Sequence, residues 1–282
     1  MQRHEIQAIQ ERIEAAAETM LAKRQGRRPK VAMFLGTGHA DLSNRLDDKT
    51  VVLLEEIPEF PAEIESSTLV MGSYSGMEVL IADAPMAPYL GISGHNLAFP
   101  VRVFRAMGAE ILILTAAAAS LEPTPMPGDL ALIEDHMDFT GMNPLLGQNH
   151  ELMGPRFPDM SEPYCSQLRN LAKGIAAEAG FPLHEGIFSA IQGPSLPTRA
   201  EYRFLRAAGS DFVGMSTVPE VLAAVHAGFR NLALLGITQK IDLERGRPTD
   251  IESMVDASDL AAPRMGSLLA GLLEKLALDF GN

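Results

Sequence analysis

Three short stretches of the chain combine small residues with hydroxyls in a way that suits an anion. Gly36-Thr37-Gly38-His39 follows the apolar run Val31–Leu35. Its two glycines let the backbone turn tightly and offer N–H groups, and the Thr37 hydroxyl adds one more bond. A purely structural turn would use the same residues. Thr115-Ala116-Ala117-Ala118-Ala119-Ser120 closes a second apolar run. Side chains this small allow close approach of a ligand, or of another backbone. In Gly214-Met215-Ser216-Thr217-Val218-Pro219-Glu220 the proline suits a first helical turn. Ser216 or Thr217 then either caps that helix or helps hold an anion at its end. His39, His95, Lys240 and Asp242 supply the nearby charge or potential charge. The two histidines read equally as structural or solvated groups, and Lys240-Ile241-Asp242 as an exposed ion pair of little energetic weight.

Positioning these stretches requires strands that end beside them. Apolar runs of strand length recur at 51–54, 78–82, 110–115, 130–133, 186–191, 212–215 and 232–237. Helical spacing of apolar residues separates several of them, at 96–107, 161–179, 199–208, 218–227 and 257–276. Such alternation predicts an α/β fold with a largely parallel sheet and helices on its faces. Open sheets of this kind bind ligands at the carboxyl ends of their strands, where all three stretches fall. An amphipathic helix is expected over 5–23, followed by a basic, solvated linker containing Lys23, Arg24, Arg27, Arg28 and Lys30. Residues 142–163 lack periodicity and read as an excursion or lid-like loop. Nothing in the composition divides the 282 residues, so one domain over 1–282 is expected, with 1–30 as its N-terminal helix and linker.

Composition narrows the partners. A formal charge of −13 disfavours nucleic acid and anionic lipid. Cys165 is the single cysteine, so no intramolecular disulfide forms, and no Cys/His cluster has zinc spacing. No metal is expected. Residues 1–30 are charged throughout with no apolar signal-peptide core, and no apolar stretch of spanning length occurs. A cytoplasmic location is the expectation.

Eight ordered segments carry a family resemblance. They are Gly36-Thr37-Gly38, Ile57-Pro58-Glu59-Phe60-Pro61, Phe99-Pro100-Val101-Arg102-Val103-Phe104 and the run 128–136, then Asn143-Pro144-Leu145, the run 156–161, Gly193-Pro194-Ser195 and the run 214–220. Over nearly its whole length the chain resembles the trimeric purine nucleoside and methylthioadenosine phosphorylases. The resemblance implies a three-layer α/β/α fold with a mixed central sheet, a homotrimer, no cofactor, and inorganic phosphate as co-substrate. The implied reaction is phosphorolysis of a nucleoside. Phosphate must be held and aimed at the anomeric carbon, and the departing purine stabilised by hydrogen bonds.

By resemblance, Gly36, Thr37, Ala117 and Ser216 fall at phosphate-binding positions. Tyr89, Phe157, Phe188, Leu196, Pro197, Met215 and Gln239 fall at nucleoside-pocket positions, Phe157 reaching in from a neighbouring subunit. Other family groups are replaced. The His-bearing loop after Pro61 corresponds to a shorter 62–68 without histidine. The family's Arg-x-His pair and the Glu of the Tyr-Glu-Gly that follows it align with Pro85, Ala87 and Leu90, and its Phe-Glu with Leu196-Pro197. Gln239 stands for an asparagine, and a histidine aligns near Ile251. Loss of a positioned guanidinium removes charge-assisted bonds of about 1.5–3 kcal/mol each. Gln239 and His39 are the remaining catalytic candidates. Two readings follow: a phosphorylase of altered or strongly reduced activity, or a non-catalytic binder of nucleosides or other planar aromatic ligands. A nucleoside hydrolase on the same scaffold is a third.

Overall fold

The computed structural model describes residues 2–36, 41–61, 68–83, 86–149, 151–244 and 250–280. Thr37 and His39, and most of the 62–68 loop, lie outside them, as does Pro85. The elements, in order, are α1 (Gln2–Lys23), β1 (Val31–Phe34), α2 (Asp41–Asn44), β2 (Asp47–Leu53), β3 (Thr68–Tyr74), β4 (Met77–Asp83), α3 (Gly94–Met107), β5 (Ile111–Ser120) and β6 (Leu130–Phe139). Then come α4 (Ser166–Glu178), β7 (Leu183–Ile191), α5 (Arg199–Ala207), β8 (Phe212–Gly214), α6 (Val218–His226), β9 (Arg230–Lys240) and α7 (Ile251–Phe280). No regular element interrupts the described part of 142–163.

The strands form one mixed sheet in the order β2-β3-β4-β1-β5-β8-β7-β6-β9, and β9 returns to pair with β5. β5-β8-β7-β6-β9 therefore close into a ring from which β1, β4, β3 and β2 extend. One apolar core joins α1, α3 and α6 to one side of the sheet, and a second joins α2, α4 and α7 to the other. This is the three-layer, mixed-sheet α/β architecture that the resemblance implies; the sheet is less parallel than the alternation alone predicts, because β2–β3, β3–β4, β5–β8 and β6–β9 pair antiparallel.

Several expectations need correction. β3 has no counterpart among the runs picked out above, because Gly72, Ser73 and Tyr74 break its apolar character. The Ser75-Gly76 turn, with φ of 50° and 83°, was the available signal for a hairpin. The 115–120 stretch is not a loop after a strand; it is the second half of β5. α4 starts at Ser166, since Pro163 resists helix and the Glu162 carboxylate accepts the Ser166 N–H at 2.8 Å. The basic segment after α1 is not simply solvated. Arg24 is 5% exposed and donates two bonds to Glu78, at 2.8 and 3.0 Å, and Lys30 reaches Glu110 at 2.8 Å. Burying a guanidinium requires such pairing, and here it ties α1 to β4.

Phe188 is also displaced from its expected place. It is wholly buried, and its ring lies beneath Gly214. A Cβ at Gly214 would stand 2.8 Å from that ring and 3.1 Å from the Ala117 carbonyl oxygen. Only glycine lets β8 lie this close to both. Gly214→Ala should therefore cost about 1–3 kcal/mol through overpacking, read as a lower urea midpoint with an unchanged m-value; unaltered stability would show that the sheet gives way freely at this point.

Candidate functional site

The site originates in the pairing of β5. Along one edge β5 meets β1 over 111–114, and further on meets β8 at 119–120. β1 ends at Phe34, so residues 115–118 have no strand on that edge. Their backbone direction follows from neighbouring bonds. Ile111 donates to Lys30 O (3.2 Å) and Leu121 to Asp211 O (2.8 Å), both on this edge, whereas the Glu110 carbonyl accepts from Arg230 on the other. Alternation along the strand then turns Thr115 and Ala117 toward the gap. A cavity of about 580 Å³ opens there.

Gly36, Ala117 and Ser216 all border this cavity, as do Tyr89, Leu196, Pro197, Met215 and Gln239. Gly36 does not offer its N–H to a ligand, because that group donates to the Thr115 hydroxyl at 2.9 Å. Phe188 is behind the wall. Phe157 is 86% exposed on the outside of the chain, with the Arg156 guanidinium 5.4 Å from its ring centre. Lys240 lies outside the lining, its ammonium 3.8 Å from the Met126 sulfur. His95 borders a separate hollow of about 60 Å³ with Arg102 and His226. Ile251, at the start of α7, does reach the cavity.

The stretch before α6 is shaped by strain. Thr217 has φ 80° and ψ −49°, and Val218 N–H donates to Ser216 O at 3.0 Å, closing a γ-turn that is rare for a residue with a Cβ. Neither hydroxyl caps the helix, contrary to the capping role open to Ser216 and Thr217. That task belongs to Glu220, whose carboxyl accepts the N–H of Thr217 and its own. The hydroxyls of Ser216 and Thr217 stand 3.4 Å apart beside the cavity. Glu220 is 2% exposed, and its Oε2 has no partner among the described residues. Burial pushes its carboxyl up to about 7, opposed by the two backbone N–H bonds.

Asp83, Tyr202, Glu220, Thr238, Met254 and Ser258 also line the cavity and were not singled out from sequence. Asp83 and Thr238 stand at the carboxyl ends of β4 and β9, which is the signal that could have found them. Among the described residues no arginine, lysine or histidine borders the cavity.

The Phosphorylase superfamily pattern matches residues 30–274. The chain belongs to that superfamily. It is 42% identical over 229 residues to purine nucleoside phosphorylase 1 of Bacillus subtilis (strain 168), covering 80% of this chain and 84% of the relative. The purine nucleoside phosphorylase of Bos taurus is 37% identical over 259 residues, with 88% and 90% covered. A schistosoma purine nucleoside phosphorylase in complex with hypoxanthine superposes with a TM-score of 0.90 at 32% identity, over 94% of this chain and 97% of that one. Phosphorylases of this family use phosphate as co-substrate and need no cofactor.

The raised Glu220 carboxyl has a definite consequence for stability. Between its unfolded value near 4.5 and its folded value of about 7, the folded chain holds a proton that the unfolded chain has released. Stability therefore falls as pH rises through this window and stays lower above it. The loss is about 3 kcal/mol. Glu220→Gln should remove it, so urea unfolding at pH 5 and pH 8 should differ less for the variant than for the parent. Equal pH dependence in both would refute the assignment.

Proposed function

We propose that this superfamily member binds a purine nucleoside in the 580 Å³ cavity and phosphorolyses it slowly. One observation carries the reading. The cavity's backbone and hydroxyl groups, from Ala117, Ser216 and Thr217, suit an oxyanion, yet the described lining holds two carboxyl residues, Asp83 and Glu220, and no cationic side chain. A phosphate dianion in a partly enclosed site needs positive countercharge to be held and aimed. Ala87 and Pro197, both on the lining, stand where the family resemblance places an imidazole and a carboxylate. Losing one such group costs roughly 10²–10³ in rate, and losses within one site do not simply multiply.

A coupled assay for free base, with inosine or guanosine at saturating phosphate, tests this. Turnover at least about 100-fold below the ~10 s⁻¹ usual for enzymes is expected; a rate near 10 s⁻¹ would overturn it. Restoring Pro85→Arg, Ala87→His and Pro197→Glu together should raise the rate. The apolar walls favour the second reading, a binder of planar aromatic ligands, which predicts affinity with no phosphate-dependent base release at all.

In this reading the whole chain, 1–282, is one unit that works as a homotrimer, with Phe157 closing a neighbour's cavity. The family resemblance that places Phe157 at a neighbour's pocket supports this, together with its ring standing 86% exposed on the irregular 142–163 segment. Sedimentation at micromolar concentration should give three chain masses, and Phe157→Ala should weaken nucleoside binding without lowering the melting temperature. A mass of one chain would remove the proposal.

A further inference from the structure

Outside the cavity, one guanidinium withdrawn from solvent lacks a countercharge. Arg102 lies on α3 and borders the separate hollow of about 60 Å³. Two other arginines withdrawn from solvent are paired, Arg24 with Glu78 and Arg169 with Glu185. Arg102 forms no ion pair among the described residues. Its Nη2 donates to the Pro144 carbonyl over a long 3.4 Å, and its Nε is buried without a partner. Nη1 makes no bond and, unlike Nε, is not sealed from the hollow. Desolvation pushes the guanidinium down from its ordinary pKa, and no acidic group opposes it.

The walls of the hollow come from four parts of the chain: α1, α3, the 144–149 loop and the end of α6. Hydrogen bonds fix two of them together. Asn149 Nδ2 donates to the Gly154 carbonyl at 3.1 Å, which turns Oδ1 toward His226, and His226 Nε2 donates to that oxygen at 3.1 Å. His226 is 4% exposed. A Cβ on Gly154 would stand 1.9 Å from the His226 carbonyl oxygen, so only glycine passes there. His95, two turns before Arg102 on the same face of α3, and Gln148 bring donors to the exposed rim. Among the described residues no Asp or Glu borders the hollow, and α3 itself contains none.

A buried charge is costly unless it is paired. This chain carries a formal charge of −13, so carboxylates are plentiful, yet none is placed against Arg102. A water needs roughly 10–15 Å³ of such space, so the hollow admits about four to six groups of that size. A tetrahedral oxyanion has five heavy atoms. Its oxygens accept charge-assisted bonds from a guanidinium and further bonds from the rim. We propose that this hollow is a second anion site, which binds a free tetrahedral oxyanion of the inorganic phosphate class on Arg102. It shares no lining residue with the cavity and does not depend on the nucleoside reading. A bound anion clamps the 144–149 loop between α3 and α6, at the root of the segment that carries Phe157.

Thermal unfolding of the full chain and of Arg102→Gln, in sodium chloride and in sodium phosphate or sodium sulfate at equal ionic strength, tests the inference. In chloride, Arg102→Gln should melt at or above the parent, because an uncompensated charge is gone. In phosphate and in sulfate the parent should gain more than the variant. That difference should rise and then level off with anion concentration, as binding to the folded state requires. Comparing the two proteins cancels the general effect of these salts and whatever the cavity binds. Arg102→Lys keeps the charge without the planar fork, and should need about 3–10-fold more anion for half the gain. Equal gains in the parent and Arg102→Gln overturn the inference. So does an Arg102→Gln that fails to fold, or that melts lower by the same amount in every salt, since the chain itself then supports the guanidinium. A parent whose stability rises with chain concentration and ignores both anions places a neighbour's carboxylate in the hollow, and overturns it as well.

Discussion

Everything at the site depends on β5 being longer than the strand beside it. β1 covers the edge of β5 only as far as Leu114, and β8 returns to that edge only at Ala119. Buried backbone groups must find partners, so a gap of this kind inside a sheet costs free energy unless something polar fills it. Thr115 meets part of the demand by accepting the Gly36 N–H. The N–H of Ala117 faces the remaining opening. The 3.1 Å from the Ala117 carbonyl to a notional Cβ on Gly214 shows how closely β8 approaches β5 beside this opening.

The rest of the fold holds that gap open. The ring β5-β8-β7-β6-β9 fixes β8 from the far side, and Phe188 wedges beneath Gly214. Met215 then leans on the loop that carries Leu196 and Pro197. Its sulfur would stand 2.4 Å from a Cβ on Gly193, whose φ of 67° also demands glycine. The strained Thr217 turn is held by the Glu220 carboxyl through the Thr217 N–H. Backbone and hydroxyl groups are thus placed with care, while the described side chains lining the cavity add carboxyls and no cations.

Much of this was legible in the residues. Buried runs such as Val31–Phe34 and Leu232–Ile237 are apolar throughout, as strands covered on both faces must be, and eight spaced segments pointed to the family. Gly36, Ala117, Ser216, Tyr89, Leu196, Pro197, Met215 and Gln239 were expected at the cavity and border it. Phe188 was not separable from the lining residues by sequence, because a strand's period of two says which face a residue takes and not whether a glycine on the next strand opens that face or covers it. β3 was missed because its apolar pattern is broken by Gly72 and Ser73, and its strand conformation comes from pairing with β2 and β4.

By itself, then, the sequence determined the alternation of helices and strands and the family, since each of these is local in the chain or a matter of residue type. The tertiary structure alone decided which edge of β5 lies open, that Glu220 and not Ser216 or Thr217 caps α6, and that Tyr202 shares a wall with Pro197. Those outcomes depend on where β1 stops, how β8 returns and how far α5 leans inward. Such distances are set by packing between segments far apart in the chain, and no local pattern of residues encodes them.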